Sequence, residues 1–114
     1  MVVVNATNHG NVRFVNCAFW GPCNQNAIIN GTGTVGFSDC TFVQWDRNKE
    51  QRAAIQAIGG TVVVRGCDFA TLAPQVSIGE KVVRAIVSEN TVKGKVNIIN
   101  KGKNTYIQGN LGTE

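Results

Sequence analysis

The sequence has few charges, little proline and a single histidine. Charged residues make up 16% of its 114 positions and proline occurs twice, against 43% apolar residues and 13 glycines. That balance excludes a disordered tail, a collagen-like chain and a charge-rich coiled coil. No apolar run approaches the roughly 20 residues of a membrane span, and no basic segment with a cleavage site opens the chain. Hence no membrane partner is expected and no address can be read. The net charge of +4 is mild. It lacks the clustered basic stripe of a nucleic-acid binder, so no nucleic-acid partner is expected. Few segments carry the 3.6-residue spacing of a helix, and β-branched residues dominate. What remains is one domain over residues 1–114, long enough to bury a core without disulfide or metal staples.

A repeat organises it. Phe14-Val15-Asn16-Cys17-Ala18-Phe19, Phe37-Ser38-Asp39-Cys40-Thr41-Phe42 and Val64-Arg65-Gly66-Cys67-Asp68-Phe69 are three copies of one motif, and weaker copies centre on Asn90 and Asn110. The anchors Cys17, Cys40, Cys67, Asn90 and Asn110 lie 23, 27, 23 and 20 residues apart. Counting from each anchor predicts apolar columns. Three before stand Phe14, Phe37, Val64, Val87 and Ile107; five before stand Val12, Val35, Val62, Ala85 and Thr105. Two after stand Phe19, Phe42, Phe69 and Val92, and twelve before anchors two to five stand Ile28, Ile55, Ile78 and Ile98. Coil one fits with a small insertion near Asn8-His9-Gly10. Each unit holds three short segments alternating with period 2, joined by polar or glycine-containing corners. Repeats of this length with three strands predict an all-β fold: a parallel β-helix of about five coils and three parallel sheets, each coil about 4.8 Å above the last.

The N/D-C-x-F pattern, with Cys or Asn stacked at one corner and Phe two residues on, resembles the right-handed, single-stranded parallel β-helix of the pectate-lyase-like superfamily. That superfamily includes polysaccharide lyases, glycoside hydrolases, carbohydrate epimerases and phage tailspikes. The resemblance spans about residues 2–110 and implies a right-handed β-solenoid resembling a short terminal slice of a longer member. It also implies a parent that is usually secreted or extracellular. Fold alone does not fix chemistry.

Most candidate sites have a structural explanation. The cysteine spacings match no zinc pattern and no histidine set accompanies them, so no metal site is expected. Cys17, Cys40 and Cys67 read as buried, reduced rungs continued by Asn90 and Asn110, since a thiol packs as a small hydrophobe and stacked amides hydrogen-bond along a solenoid. Cys23 lies off the ladder and is expected to be the most exposed thiol. Gly31-Thr32-Gly33-Thr34-Val35-Gly36 matches a dinucleotide fingerprint in letters only, because a strand rather than a helix follows; no cofactor is expected. His9 has no carboxylate near it in sequence. Asp39 and Asp68 are the one pair placed for a cation.

The largest departure from the repeat is Val43–Arg52, where about four extra residues bulge outward. Insertions in solenoids map to loops on one face, often the binding face. Trp45, Asp46, Arg47, Lys49 and Arg52 form the candidate carbohydrate-binding set: an indole to stack on a sugar ring, charged groups to grip its substituents. Catalysis is less well served. Neither the paired aspartates with Gly-His-Gly and Arg-x-Lys of polygalacturonases nor the calcium-binding carboxylates and catalytic Arg of pectate lyases match here. No catalytic residue is assigned, and the chain alone is not expected to complete an active site.

Four residues before each anchor stand Arg13, Gly36, Val63, Ile86 and Tyr106, which alternation points outward. Val63, Ile86 and Tyr106 would make an external apolar column, and such patches mark contacts. Met1–Val4 begins directly in a strand, leaving an uncapped N-terminal coil. Two functions follow as expectations. The first is a carbohydrate-associated module, the C-terminal coils of a polysaccharide lyase or glycoside hydrolase, whose partner is a polysaccharide or oligosaccharide. The second is a structural or assembly protein, a minimal or engineered β-helix that forms a homo-oligomer through that column or the uncapped coil.

Overall fold

The computed structural model describes residues 1–114 and contains strands, turns and no helix. Coil one runs through β1 (Val2–Val4), β2 (Asn11–Val15) and β3 (Ala18–Trp20). Coil two comprises β4 (Ala27–Ile29), β5 (Thr34–Ser38) and β6 (Thr41–Val43). Coil three comprises β7 (Ile55–Ala57), β8 (Gly60–Arg65) and β9 (Asp68–Phe69). Coil four comprises β10 (Val76–Ile78), β11 (Val82–Ser88) and β12 (Thr91–Val92). Coil five comprises β13 (Ile98–Asn100), β14 (Thr105–Gln108) and β15 (Leu111–Gly112). Equivalent strands pair in parallel into three 5-stranded sheets, making a β-solenoid of about 5 turns.

Alternation decides what enters the core. Phe14, Phe37, Val64, Val87 and Ile107 share one rung line, as do Phe19, Phe42, Phe69 and Val92. Phe19, Phe42 and Phe69 stack with ring centroids 4.9 and 4.8 Å apart, close to the strand spacing itself. Phe37 meets Phe42 edge-on at 5.6 Å, so the two columns interlock.

One corner is constant. Between second-sheet and third-sheet strands stand two residues only: Asn16-Cys17, Asp39-Cys40, Gly66-Cys67, Glu89-Asn90 and Gly109-Asn110. The first of each pair has a positive φ, between 55° and 70°, which turns the chain sharply. The second points inward and ties its coil to the one before. Cys40 Sγ donates to Phe14 O (3.3 Å) and Cys67 Sγ to Phe37 O (3.5 Å). Asn90 Nδ2 donates to Val64 O (3.2 Å) and Asn110 Nδ2 to Val87 O (3.0 Å). Thiol and amide thus perform the same bond at the same register.

The ladder differs from expectation in exposure. Cys40 and Cys67 are buried, whereas Cys17 is half-exposed and so is Cys23 off the ladder. Burial pushes the Cys67 thiol up to about 12, keeping it protonated as a donor at neutral pH.

The corner between first and second sheets varies, and this corrects the expected isoleucine column. Its link runs from Ile29 to Val35 in coil two, from Ala57 to Val62 in coil three and from Ile78 to Ala85 in coil four. Ile55 therefore aligns with Ala27, Val76 and Ile98, while Ile28 aligns with Gln56 on the outer face and Ile78 with Ala57. Glycine serves close approach here. A Cβ on Gly60 (φ 73°) would lie 2.6 Å from the Gly33 carbonyl oxygen. The Gly31–Gly36 run is a corner leading into strand β5, with no helix to receive a phosphate.

Candidate functional site

The insertion occupies residues 44–54, between β6 and β7. Its backbone docks on the matching corner of coil one: Asp46 N–H donates to Asn24 O (2.9 Å) and Arg47 N–H to Cys23 O (3.1 Å). Gln44, Asp46, Lys49 and Gln51 all have φ between 56° and 63°. Such conformations cost about 1 kcal/mol or more each outside glycine.

Asp46 holds this shape. Its Oδ1 accepts the N–H groups of Glu50 (2.9 Å) and Arg52 (3.1 Å), and its Oδ2 that of Gln51 (3.2 Å). The residue is 4% exposed, so its carboxylate is committed to the loop and is not free to grip a sugar. Trp45 also departs from expectation. It is 2% exposed, donates its indole N–H to Pro74 O (2.8 Å) and meets Phe69 edge-on at 5.9 Å. Its face closes the aromatic column and offers no stacking platform; a large ring with a satisfied donor gains more inside than outside. Arg47, Lys49 and Arg52 are exposed as expected. Arg52 pairs with Glu50 at 3.3 Å, a contact between half-exposed groups that contributes little.

Beside the loop lies a cleft of about 210 Å³, lined by Gln51, Leu72, Ala73, Lys93, Lys95, Asn97 and Glu114. Lys93 also borders a depression of about 330 Å³ on the outer face of the third sheet, with Asp68, Ala70, Thr91, Leu111 and Thr113. The two concavities meet at Lys93 and bend around one corner of the solenoid. The structure therefore brings Gln51 of the insertion together with Leu72, Lys93, Lys95 and Asn97, four residues that sequence reasoning passed over. The register contained the signal for one of them. Lys93 stands three after its anchor, as does Trp20, and that position points outward: Trp20 is 65% exposed.

The other candidates stay apart. His9 Nδ1 lies 2.7 Å from Thr32 Oγ1, at an exposed corner. Asp68 Oδ1 accepts the Thr91 hydroxyl at 2.7 Å. No group of three or more His, Cys, Asp or Glu side chains converges.

No family model, curated protein or solved structure matches the chain. The chemistry must be read from its own surface. Two lysines without ion-pair partners supply positive charge, two amides supply donors and acceptors, and Leu72, 67% exposed, supplies an apolar patch. Gln51 brings the insertion loop to one edge of the cleft. Glu114 adds one carboxylate, so the lining offers two positive charges, one negative charge and hydrogen-bonding amides to a polar ligand.

Proposed function

We propose that the chain is a carbohydrate-associated β-helix module, the C-terminal coils of a polysaccharide lyase or glycoside hydrolase, which adds binding surface to an active site completed elsewhere. The observation that carries this reading is the insertion loop, fixed by the buried Asp46 carboxylate beside the Lys93–Lys95 cleft. Its preorganisation lowers the ordering cost of binding. An acidic oligosaccharide suits the lining: lysines for its carboxylates, Gln51 and Asn97 for hydroxyls, Leu72 for the apolar face of a ring. The likeness of the N/D-C-x-F repeat to the pectate-lyase-like superfamily supports the same class.

Calorimetric titration of uronic-acid and neutral oligosaccharides tests it. The expected result is millimolar or tighter binding of the acidic series, weakened by Lys93→Ala and Lys95→Ala. Absence of heat at millimolar sugar would overturn it.

A second reading, homo-oligomerisation, is favoured by the external column. Tyr106 is 53% exposed and follows half-buried Val63 and Ile86 along one rung line. Static light scattering at micromolar concentration separates the two: a monomer removes the second reading.

A further inference from the structure

A separate feature lies on the second sheet. Strands β2, β5, β8, β11 and β14 carry Arg13, Arg65 and Arg84 and no aspartate or glutamate. In the outward column Arg13–Gly36–Val63–Ile86–Tyr106, Gly36 alone has no side chain. The gap is a notch of about 140 Å³ lined by Arg13, Val15, Gly36, Ser38, Val63 and Arg65, with the Phe14 and Phe37 strands as its floor. The Arg13 side chain leans across it: a Cβ on Gly36 would lie 3.0 Å from one guanidinium nitrogen. Arg65 enters from coil three.

Neither guanidinium has an ion-pair partner, although the Asp39 carboxylate lies over Gly66, beside Arg65 in the chain. The one ion pair in the chain joins Arg52 to Glu50. Arg84, on the same face, spends its Nε on Thr61 Oγ1 at 3.0 Å, whereas Arg13 and Arg65 have no such partner. Two like charges lining one concavity repel, and an anion between them converts that repulsion into two attractions. The volume exceeds the roughly 30 Å³ share of one water several-fold, so a group of a few heavy atoms fits. Guanidinium forks match planar and tetrahedral oxyanions in two-point geometry.

We propose that the Arg13–Gly36–Arg65 notch is a binding site for a single oxyanion, a carboxylate or a sulfate or phosphate group, on a face distinct from the insertion cleft. Gly36 makes the space and the two arginines make the charge.

Amide-resolved NMR titration of the full chain with sodium sulfate, sodium phosphate and sodium acetate, each against sodium chloride at matched ionic strength, tests it. Saturable shifts centred on Gly36 and Ser38 with at least one oxyanion are expected, and the salt that saturates first identifies the geometry preferred. Arg13→Gln and Arg65→Gln should each weaken that binding about tenfold, the loss of one charge-assisted contact. Gly36→Ala should weaken it as well, by pushing Arg13 out of the notch. Circular dichroism checks that each variant is folded; both arginines are exposed. Linear shifts equal to those in chloride would overturn the proposal, and so would saturable binding that survives both arginine substitutions.

Discussion

Asn90 sits one rung from Cys67 and completes what a thiol leaves half done. Its Nδ2 donates to Val64 O, and its Oδ1 accepts the Cys67 backbone N–H at 2.9 Å. The same amide nitrogen also reaches Asn110 Oδ1, at 2.9 Å. Cys67 itself donates to Phe37 O but is a poor acceptor for the N–H of Cys40 one coil before it. The ladder thus changes chemistry between coils three and four while keeping its register.

Replacing Asn90 by Ala should cost about 2 to 4 kcal/mol, because it strands a buried N–H and a buried carbonyl at once. Cys67→Asn should be neutral or stabilising by about 1 kcal/mol, since an amide there reaches Phe37 O and the Cys40 N–H together. Urea unfolding midpoints check both. A Cys67→Asn protein that loses more than it gains would show that the aromatic columns leave no room for the larger side chain.

The thiol also sets a pH dependence. Burial raises Cys67 from 9.0 to about 12. A raised acid favours the folded state while it is protonated, so its contribution is complete below pH 9 and disappears as pH climbs towards 12. At 1.36 kcal/mol per unit the whole loss is of the order of 4 kcal/mol. Unfolding midpoints measured from pH 8 to 11.5 should fall, and Cys67→Asn should flatten the slope. In native alkylation at pH 8, Cys17 and Cys23 should react ahead of Cys40 and Cys67, because only the first two are partly exposed.

Glu89 is the misfit at the constant corner. Its φ of 59° sits in a column otherwise filled by Asn16, Asp39, Gly66 and Gly109, all better suited to that conformation. Glu89→Gly should stabilise the fold by about 0.5 to 1 kcal/mol, the relief of the left-handed backbone exceeding the added chain entropy. A lowered denaturation midpoint would show that the Glu89 side chain has a role of its own.

Asp46→Ala should release the insertion loop without unfolding the coils. Hydrogen exchange at the Glu50, Gln51 and Arg52 amides should accelerate at least tenfold, since each loses its carboxylate acceptor, while amides of β6 and β7 keep their protection. Uniform loss of protection would mean that the loop supports the core instead of resting on it.

How far the sequence foretold this depended on distance from the anchor. The corner beside Cys40 and its equivalents has the same two-residue length in every coil, so Phe14, Phe37 and Val64, three residues away, fell into register without error. Twelve residues away, across a corner of changing length, the isoleucine column breaks, and Ile28 lies outward beside Gln56. The insertion announced itself by length, yet its directions were illegible: a loop with four left-handed residues obeys no alternation. Trp45 therefore went to the core, Asp46 to its own backbone, and the cleft passed to Leu72, Lys93, Lys95 and Asn97.

The anchor amide has one more implication. A coil carrying asparagine offers a donor to the carbonyl of the coil before it and an acceptor to that coil's anchor N–H, while its own N–H and carbonyl await the next. Its two sides are complements of each other. A gene segment running from one such asparagine to the next, copied in tandem, would encode a unit that fits onto itself without a compensating change. A solenoid built this way lengthens by duplication alone, and a cysteine rung, whose sulfur is the weaker acceptor, holds the same register with a looser tie.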